Sequence, residues 1–401
     1  MGNGKTTLRD VAAAAGVSPM TASNALHGKP GVKESTRQKV IEAAERLDYR
    51  INLTASMLKS GRSNIIHIII NEFDSPFYSK LVQSLANETT ARGLTPFVEQ
   101  TQYSPAAAKQ AMSANPFSGQ LFDGEIIHAS GLGTNLPLAK MNAGRPLVLI
   151  DGCEETPSVD TVNFPNEEGA RAAVQHLIER GCKHIAIVGG GYIPRAELAH
   201  AEHSYDLRLR GASGALLDAG LPYDESMTFC GYNSEDGIDA GHRIADEILA
   251  ARANESDHVA AGDGVANTAN VSRENIANVS HETSRGTAAD LKRDGSATAF
   301  DGVFCSNDYA AFGVIRGLAD RGIRVPDDVK VIGIDGTSFG SYATPTLSTI
   351  QVDLDQLAQF ALDMITRRIE ERARSEDATA PTRATIGYQL VARESTGGRS
   401  V

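Results

Sequence analysis

The sequence predicts an all-α helix-turn-helix head followed by a much larger α/β core with parallel sheets. Three observations carry this. Two short capped helix patterns flank a glycine near the N-terminus, the basic residues concentrate in that same stretch, and beyond residue 62 strand and helix patterns alternate.

The head is the densest signal. Leu8, Val11, Ala12 and Ala15 recur at helical spacing and form one apolar face. Thr7 is placed to cap that helix, and Gly16 follows where the chain must turn into a left-handed conformation. Ser18 caps the next segment, with Pro19 at its first position, where a missing N–H costs nothing. Ala22, Ala25 and Leu26 make the inward stripe of this second helix, which leaves Pro19, Met20, Thr21, Ser23 and Asn24 facing outward. A third helix carries Val40, Ala43, Ala44 and Leu47 on one side. A helix pair of this size puts its second member into a DNA groove.

Charge agrees. Residues 1–62 hold ten lysines and arginines against five acids, whereas the whole chain has 38 basic and 50 acidic residues. A basic tip on an acidic body localises phosphate attraction to one end.

The core follows from alternation. Apolar strand patterns fall at 65–71, 95–99, 124–128, 147–151, 184–189, 302–306 and 329–335. Helix patterns fall at 78–92, 167–180, 207–219 and 310–321, closed by Gly93, Gly181, Gly220 and Gly322. Such alternation implies parallel sheets, here two, with ligands beyond the carboxyl ends of the strands. Asn71, Asp151, Asn307, Asp308 and Asp335 stand at those ends, and Ser204 and Arg208 lie near a helix start on the same side. Asp308 reads as a structural residue. The chemistry suits a polyol, because carboxylates and a forked guanidinium hold neighbouring hydroxyls and an aromatic such as Tyr232 packs on a sugar face. The stretch 252–298, rich in Ala, Asn, Ser and Gly without apolar periodicity, reads as a disordered surface insertion.

Several classes are opposed. No apolar run reaches spanning length, and the start lacks a secretory pattern, so the expectation is a cytoplasmic protein with no membrane partner. Four cysteines lie far apart without metal or redox spacing and read as buried small hydrophobes. No catalytic set, metal cluster or cofactor motif is identifiable. Gly4-Lys5-Thr6 lacks the rest of a phosphate loop, and Gly189-Gly190-Gly191 reads as a loop at a cleft edge.

The strings TLRDVAAAAGVSPMTASNAL, TRQKVIEAAERLDY and N-x-x-A-x-x-L ending at Leu58 resemble the headpiece of the lactose/galactose repressor (LacI/GalR) family of bacterial regulators. DSPFYSKLV, HLIERGCKHIAIVGG, the Arg208-x-x-Gly211 pair, CSNDYAAFGVIRGLADRGIRVPDDVKVIGIDGT, PTLSTI and VARESTG extend the likeness along nearly the whole chain. The resemblance implies that Pro19, Met20 and Asn24 face bases, and that Thr7, Ser18, Thr21 and Ser23 belong to the same DNA-facing set, Thr21 and Ser23 as phosphate contacts. Of these Asn24 is the best reader, since its amide pairs bidentately with adenine. It implies a hinge helix at Asn52, Ala55 and Leu58, with Leu58 as a minor-groove wedge. Three positions depart from the pattern: Lys33 stands where a capping Ser or Asp is usual, Ile51 where Pro precedes the hinge, and Pro165 where Asp is common.

The same resemblance implies a two-lobed core like a periplasmic sugar-binding protein (type I), with the ligand in the cleft. It places Asn71, Asp151, Ser204, Arg208, Tyr232, Asn307 and Asp335 at effector positions, with Phe77 as a further aromatic candidate. Domain limits are then 1–51 for the head, 52–62 for the hinge and 63–401 for the core, with lobe crossings near 162, 352 and 382. The expected protein is a homodimer that binds double-stranded operator DNA and responds to a small-molecule effector, a sugar. Alternatives are a nucleobase or other metabolite on the same architecture, which wants stacked aromatics where the sequence offers mainly Phe77 and Tyr232, or a solute-binding protein, which the basic head opposes.

Overall fold

The computed structural model describes residues 6–398 except 27, 29, 50–61, 114–120, 130–143, 263–298 and 375–378. The chain divides into two compact units, Met1–Asn64 with Gln120–Asp123, and the remainder.

The first unit contains α1 (Leu8–Ala15), α2 (Pro19–Leu26) and α3 (Glu34–Arg46). Its termini are built as the sequence specifies. The Thr7 hydroxyl accepts from the Asp10 amide, the Asp10 carboxylate accepts from the Thr7 amide, and Gly16 closes α1 at φ 66°. Ser18 Oγ accepts from the Thr21 amide at 3.1 Å. Val11, Ala12, Ala22, Ala25, Val40, Ala43 and Ala44 form the core. Mostly alanine at that junction lets three short helices approach closely. Lys33 supplies no side-chain cap to α3.

The second unit holds two six-stranded sheets among the described residues. The first contains β1 (Ile65–Ile70), β2 (Thr95–Gln100), β3 (Gly124–His128), β4 (Leu147–Ile150), β5 (Asp160–Asn163) and β11 (Arg383–Thr385), in the order β11-β5-β4-β3-β1-β2, all parallel. α4 (Pro76–Ala91) and α10 (Leu354–Arg374) cover one face through Leu81, Leu85, Leu357, Leu362 and Ile365. α5 (Pro105–Ser113) covers the other through Ala108 and Met112. The second sheet contains β6 (Ile185–Gly189), β7 (Thr228–Cys230), β8 (Gly302–Cys305), β9 (Lys330–Asp335), β10 (Ser348–Val352) and β12 (Tyr388–Val391), in the order β12-β10-β9-β8-β6-β7. α6 (Asn166–Glu179) and α7 (Ser204–Asp218) pack on one face, α8 (Ser234–Gly262) and α9 (Asp308–Asp320) on the other.

Three differences from the sequence reading have physical causes. β12 runs antiparallel to β10, because β11 runs parallel to β5 and the two residues after it carry the chain straight into the second sheet from the end where that sheet's other strands finish. α5, β5 and β7 carry no pattern long enough to be read from sequence. α8 continues through Gly262, so 252–262 are helical and do not belong to an irregular insertion; 263–298 lie outside the described residues. Between the sheets the chain passes at 164–165, 353 and 386–387.

α8 and α9 pack backbone against backbone. A Cβ on Gly317 would lie 2.3 Å from the Ile238 carbonyl oxygen, and one on Gly313 would lie 2.1 Å from that of Ser234. Gly237 and Gly241 make the reciprocal approach to Ala310 and Val314.

β5 is fastened from the side. Buried Asp160 accepts from Arg367 Nη2 (3.0 Å), Arg368 Nε (2.7 Å) and the Thr382 amide (2.8 Å), which ties α10 and the start of β11 to the sheet. Burial pushes this carboxyl up, but the Arg368 guanidinium, Thr382 and Arg367 outweigh it and bring it to about 2. A depressed folded-state value means that the stabilisation is fully present above the ordinary 3.8 and is lost as pH falls through 2. Asp160→Asn is therefore expected to cost about 2–3 kcal/mol at neutral pH, read by urea unfolding, and less as the pH approaches 2. An equal loss at both ends of that range would remove the charge from the account.

Candidate functional site

The outward face of α2 is the first functional surface. Pro19 and Met20 are exposed, and Met20 leaves 68% of its surface in solvent although it is apolar. Thr21, Ser23 and Asn24 are half-buried, and the Asn24 side chain makes no hydrogen bond to a described residue. Ala22 and Ala25 on the opposite face are buried, which fixes the helix so that this row points outward. Arg37 Nη1 donates to the Ala25 carbonyl at 2.8 Å and holds the C-terminal end. Ser18 and Thr21 share a hydroxyl contact of 2.9 Å, so both are oriented at the start of the helix, while Thr7 is engaged in the α1 cap. Asn52, Ala55 and Leu58, with Ile51, lie outside the described residues.

The second surface is a cleft of about 560 Å³ between the two sheets, lined by the carboxyl ends of their strands. It brings together seven of the eight residues expected there: Phe77, Asp151, Ser204, Arg208, Tyr232, Asn307 and Asp335. Asn71 is the exception. Its side chain is fully buried behind the cleft, where Nδ2 donates to Tyr78 Oη at 2.9 Å and contacts His128 Nδ1 at 3.3 Å. Asn71 therefore sets the wall residues and does not itself line the cavity.

Arg208, on the second turn of α7, is held at two points. Its Nε donates to Asn166 Oδ1 at 2.8 Å and its Nη1 to the Ser306 carbonyl. Asn166 at the start of α6 also donates to Asp151 Oδ1 at 2.8 Å. One amide at a lobe crossing thus links the carboxylate of one lobe to the guanidinium of the other. Arg208 Nη2 makes no hydrogen bond to a described residue.

The two strand-end carboxylates carry backbone strain. Asp151 has φ 61° and Asp335 φ 127°, conformations that cost about 1–3 kcal/mol each and persist where the surroundings over-determine them. Burial pushes the Asp335 carboxyl above its usual range, and neighbouring Asp308 adds to this. Asp308 is raised by burial to about 6, although Thr349, the Thr337 amide and the Thr337 hydroxyl all donate to it. Those donors make Asp308 the structural member of the pair, as expected from sequence. Asn307 combines roles: it caps α9 through the Ala310 amide (2.7 Å) and donates to the Tyr232 carbonyl (3.0 Å) at the cleft edge.

The walls are aromatic. Phe77 meets Phe164 at 5.5 Å and 65°, and Tyr78 meets His128 at 5.1 Å and 79°. Tyr103 lies beyond Tyr78. On the other lobe Tyr205 meets Tyr232 at 5.7 Å and 76°. Both tyrosines rest on Gly189 and Gly190, where a Cβ would lie 2.1 Å from Tyr205 Cε2 and from Tyr232 Oη respectively. The glycine run is thus the floor beneath two cleft tyrosines. Burial lowers the His128 imidazole to about 4, so it is neutral at physiological pH. The aromatic content exceeds the sequence expectation, because Phe164, Tyr78, Tyr103, Tyr205 and His128 reach the cavity only through the fold. Two cysteines also depart from expectation: Cys153 lines the cleft and Cys230 is exposed, while Cys182 and Cys305 are buried. Among the described residues there is no cluster able to hold a metal ion, and no helix is long and apolar enough to cross a membrane.

A capped helix-turn-helix in one unit and, in the other, a two-lobed cleft with a candidate ligand-binding set define a DNA-binding protein regulated by a small molecule. Residues 7–52 match the model of bacterial regulatory proteins of the lacI family, and residues 241–396 match the periplasmic binding protein-like domain. The chain belongs to the LacI family and is a DNA-binding transcriptional repressor regulated by an effector. It is 28% identical to catabolite control protein A of Priestia megaterium over 90% of this chain and 92% of that one. It is 26% identical to the HTH-type transcriptional repressor PurR of Aliivibrio fischeri over 91% of this chain and 92% of that one. Among solved structures, the complex of the transcriptional regulator CelR with cellobiose has a TM-score of 0.59 at 25% identity, covering 97% of this chain and 99% of that chain. These relatives are regulators, and no catalytic family is indicated.

Proposed function

We propose that this repressor is a homodimer that binds a two-fold symmetric operator and is released by a sugar. Pro19, Met20 and Asn24 would read base edges, with Thr7, Ser18, Thr21 and Ser23 on the phosphate side. Asn52, Ala55 and Leu58, outside the described residues, would add the hinge contacts to the DNA. Phe77, Asp151, Ser204, Arg208, Tyr232, Asn307 and Asp335 would hold the effector.

The observation that carries the sugar reading is Arg208. Its open Nη2 stands in the field of Asp151 and Asp335 on the two strand ends, a donor among acceptors that suits neighbouring hydroxyls. The structural relative's complex with cellobiose supports the same class. The aromatic walls favour a second reading, a nucleobase. A nucleobase needs a stacking slot, however, and Phe77 with Phe164 and Tyr205 with Tyr232 each meet edge to face.

Removing residues 1–62 tests the division of labour. The truncated protein is expected to lose sequence-selective, salt-sensitive binding to promoter fragments from its own genome while keeping sugar binding by calorimetry. Absence of such DNA binding in the full chain, or its persistence in the truncated one, would sink the proposal.

A further inference from the structure

The geometry points to an effector that carries no phosphate or carboxylate: an uncharged polyhydroxylated molecule, selected against its anionic derivatives by the charge of the cleft. This rests on the reading of the cleft as the effector site. Six carboxyl groups line the cavity, from Glu72, Asp151, Glu154, Glu202, Asp206 and Asp335, and Arg208 is the single lysine or arginine among the described residues that do so. A cleft lined by one sign of charge between low-dielectric walls focuses its field and repels solutes of that sign.

The features that would ordinarily recruit an anion are already answered. Two of Arg208's nitrogens are engaged by Asn166 and the Ser306 carbonyl, and its charge is opposed by Asp151 and Asp335. Two helices begin at the cleft, α7 at Ser204 and α9 after Asn307, and such ends attract anions. Each carries an acid in its first turn, Asp206 and Asp308, which takes up that partial charge. Asn307 in addition fills the α9 end with its own side-chain oxygen. Of the two histidines lining the cleft among the described residues, His128 is buried and neutral, and His203 stands in the field of Asp206. What remains open to a ligand is a fork of donors and acceptors with no uncompensated positive charge, and hydroxyls are both donors and acceptors.

The test is calorimetric titration of the full-length protein with neutral and anionic partners of one skeleton: glucose and glucose 6-phosphate, galactose and galacturonate, cellobiose and its 6-phosphate, adenine and AMP. The binding member of each pair is expected to be the neutral one, tighter than its anion by about 30-fold or more at low salt. The ratio should shrink as salt is raised, and by about fivefold or more in the Glu72→Gln, Glu202→Gln, Asp206→Asn triple variant. An anion that binds as tightly as its neutral partner overturns the charge selection and leaves the sugar reading standing. Binding of adenine over AMP with no sugar bound overturns the sugar reading and upholds the charge selection. Failure of every compound overturns both.

Discussion

Arg208→Met is expected to uncouple the protein from its effector while leaving operator binding within about threefold of the parent. The substitution removes the one lysine or arginine that lines the cleft among the described residues and leaves Asp151 and Asp335 without it. Lost charge-assisted hydrogen bonds and the uncompensated carboxylates should weaken effector binding by about 2–4 kcal/mol, or roughly 30- to 1,000-fold. Methionine keeps the apolar length of the side chain on α7, so the helix itself should stay packed. Fluorescence anisotropy of a selected operator duplex, titrated with effector, reads both quantities. By linkage, whatever factor the effector removes from DNA affinity the DNA must remove from effector affinity. An unchanged release curve for the variant would dismiss Arg208 from the effector site.

The second large effect is expected in the scaffold. Gly317→Leu should destabilise the core by about 3 kcal/mol or more, seen as a lower urea midpoint. Any side chain at 317 runs into the Ile238 carbonyl oxygen at 2.3 Å and the His242 amide nitrogen at 2.9 Å. Both are backbone atoms, so α8 and α9 must separate and lose contact along the layer that covers β6, β7, β8 and β9. The exposed Leu217→Ala is the matched control, with an expected change within about 0.5 kcal/mol. Equal midpoints for the two variants would mean that the close approach of these helices does not matter to stability.

Part of the cleft was readable in the linear chain because it obeys a topological rule. Residues that end parallel strands point to one side, so Asp151, Asn307 and Asp335 could be chosen from the strand patterns alone. The same rule overreached at Asn71. That residue also ends a strand, but Tyr78 and His128 crowd over it and convert a candidate ligand contact into a buried support. Asn166 escaped notice for the opposite reason. Nothing in a helix-starting asparagine announces that its amide joins Asp151 to Arg208, two residues 57 positions apart in sequence. The aromatic walls were likewise hidden: Phe164 sits at a crossing, and Tyr205 stands just ahead of the 207–219 helix pattern with no signal of its own. The end of α8 was misjudged because an alanine-rich, weakly periodic segment satisfies helix propensity without showing an apolar stripe.

Local features were legible along the chain: the caps at Thr7 and Ser18, the turn at Gly16, the alanine junction of the head, the apolar strands, and a basic tip ahead of an acidic body. Each depends on neighbours within a few residues, where spacing and backbone preference suffice. Packing in three dimensions settled what depends on distant partners. It set the left-handed turns that aim Asp151 and Asp335 and the glycine floor under Tyr205 and Tyr232. It also set the glycine contacts between α8 and α9 and brought Arg208, among the described residues the one lysine or arginine lining the cleft, into a ring of acids from distant segments. Burial and the close approach of segments far apart in the chain create these features, and neither leaves a periodic mark in the sequence.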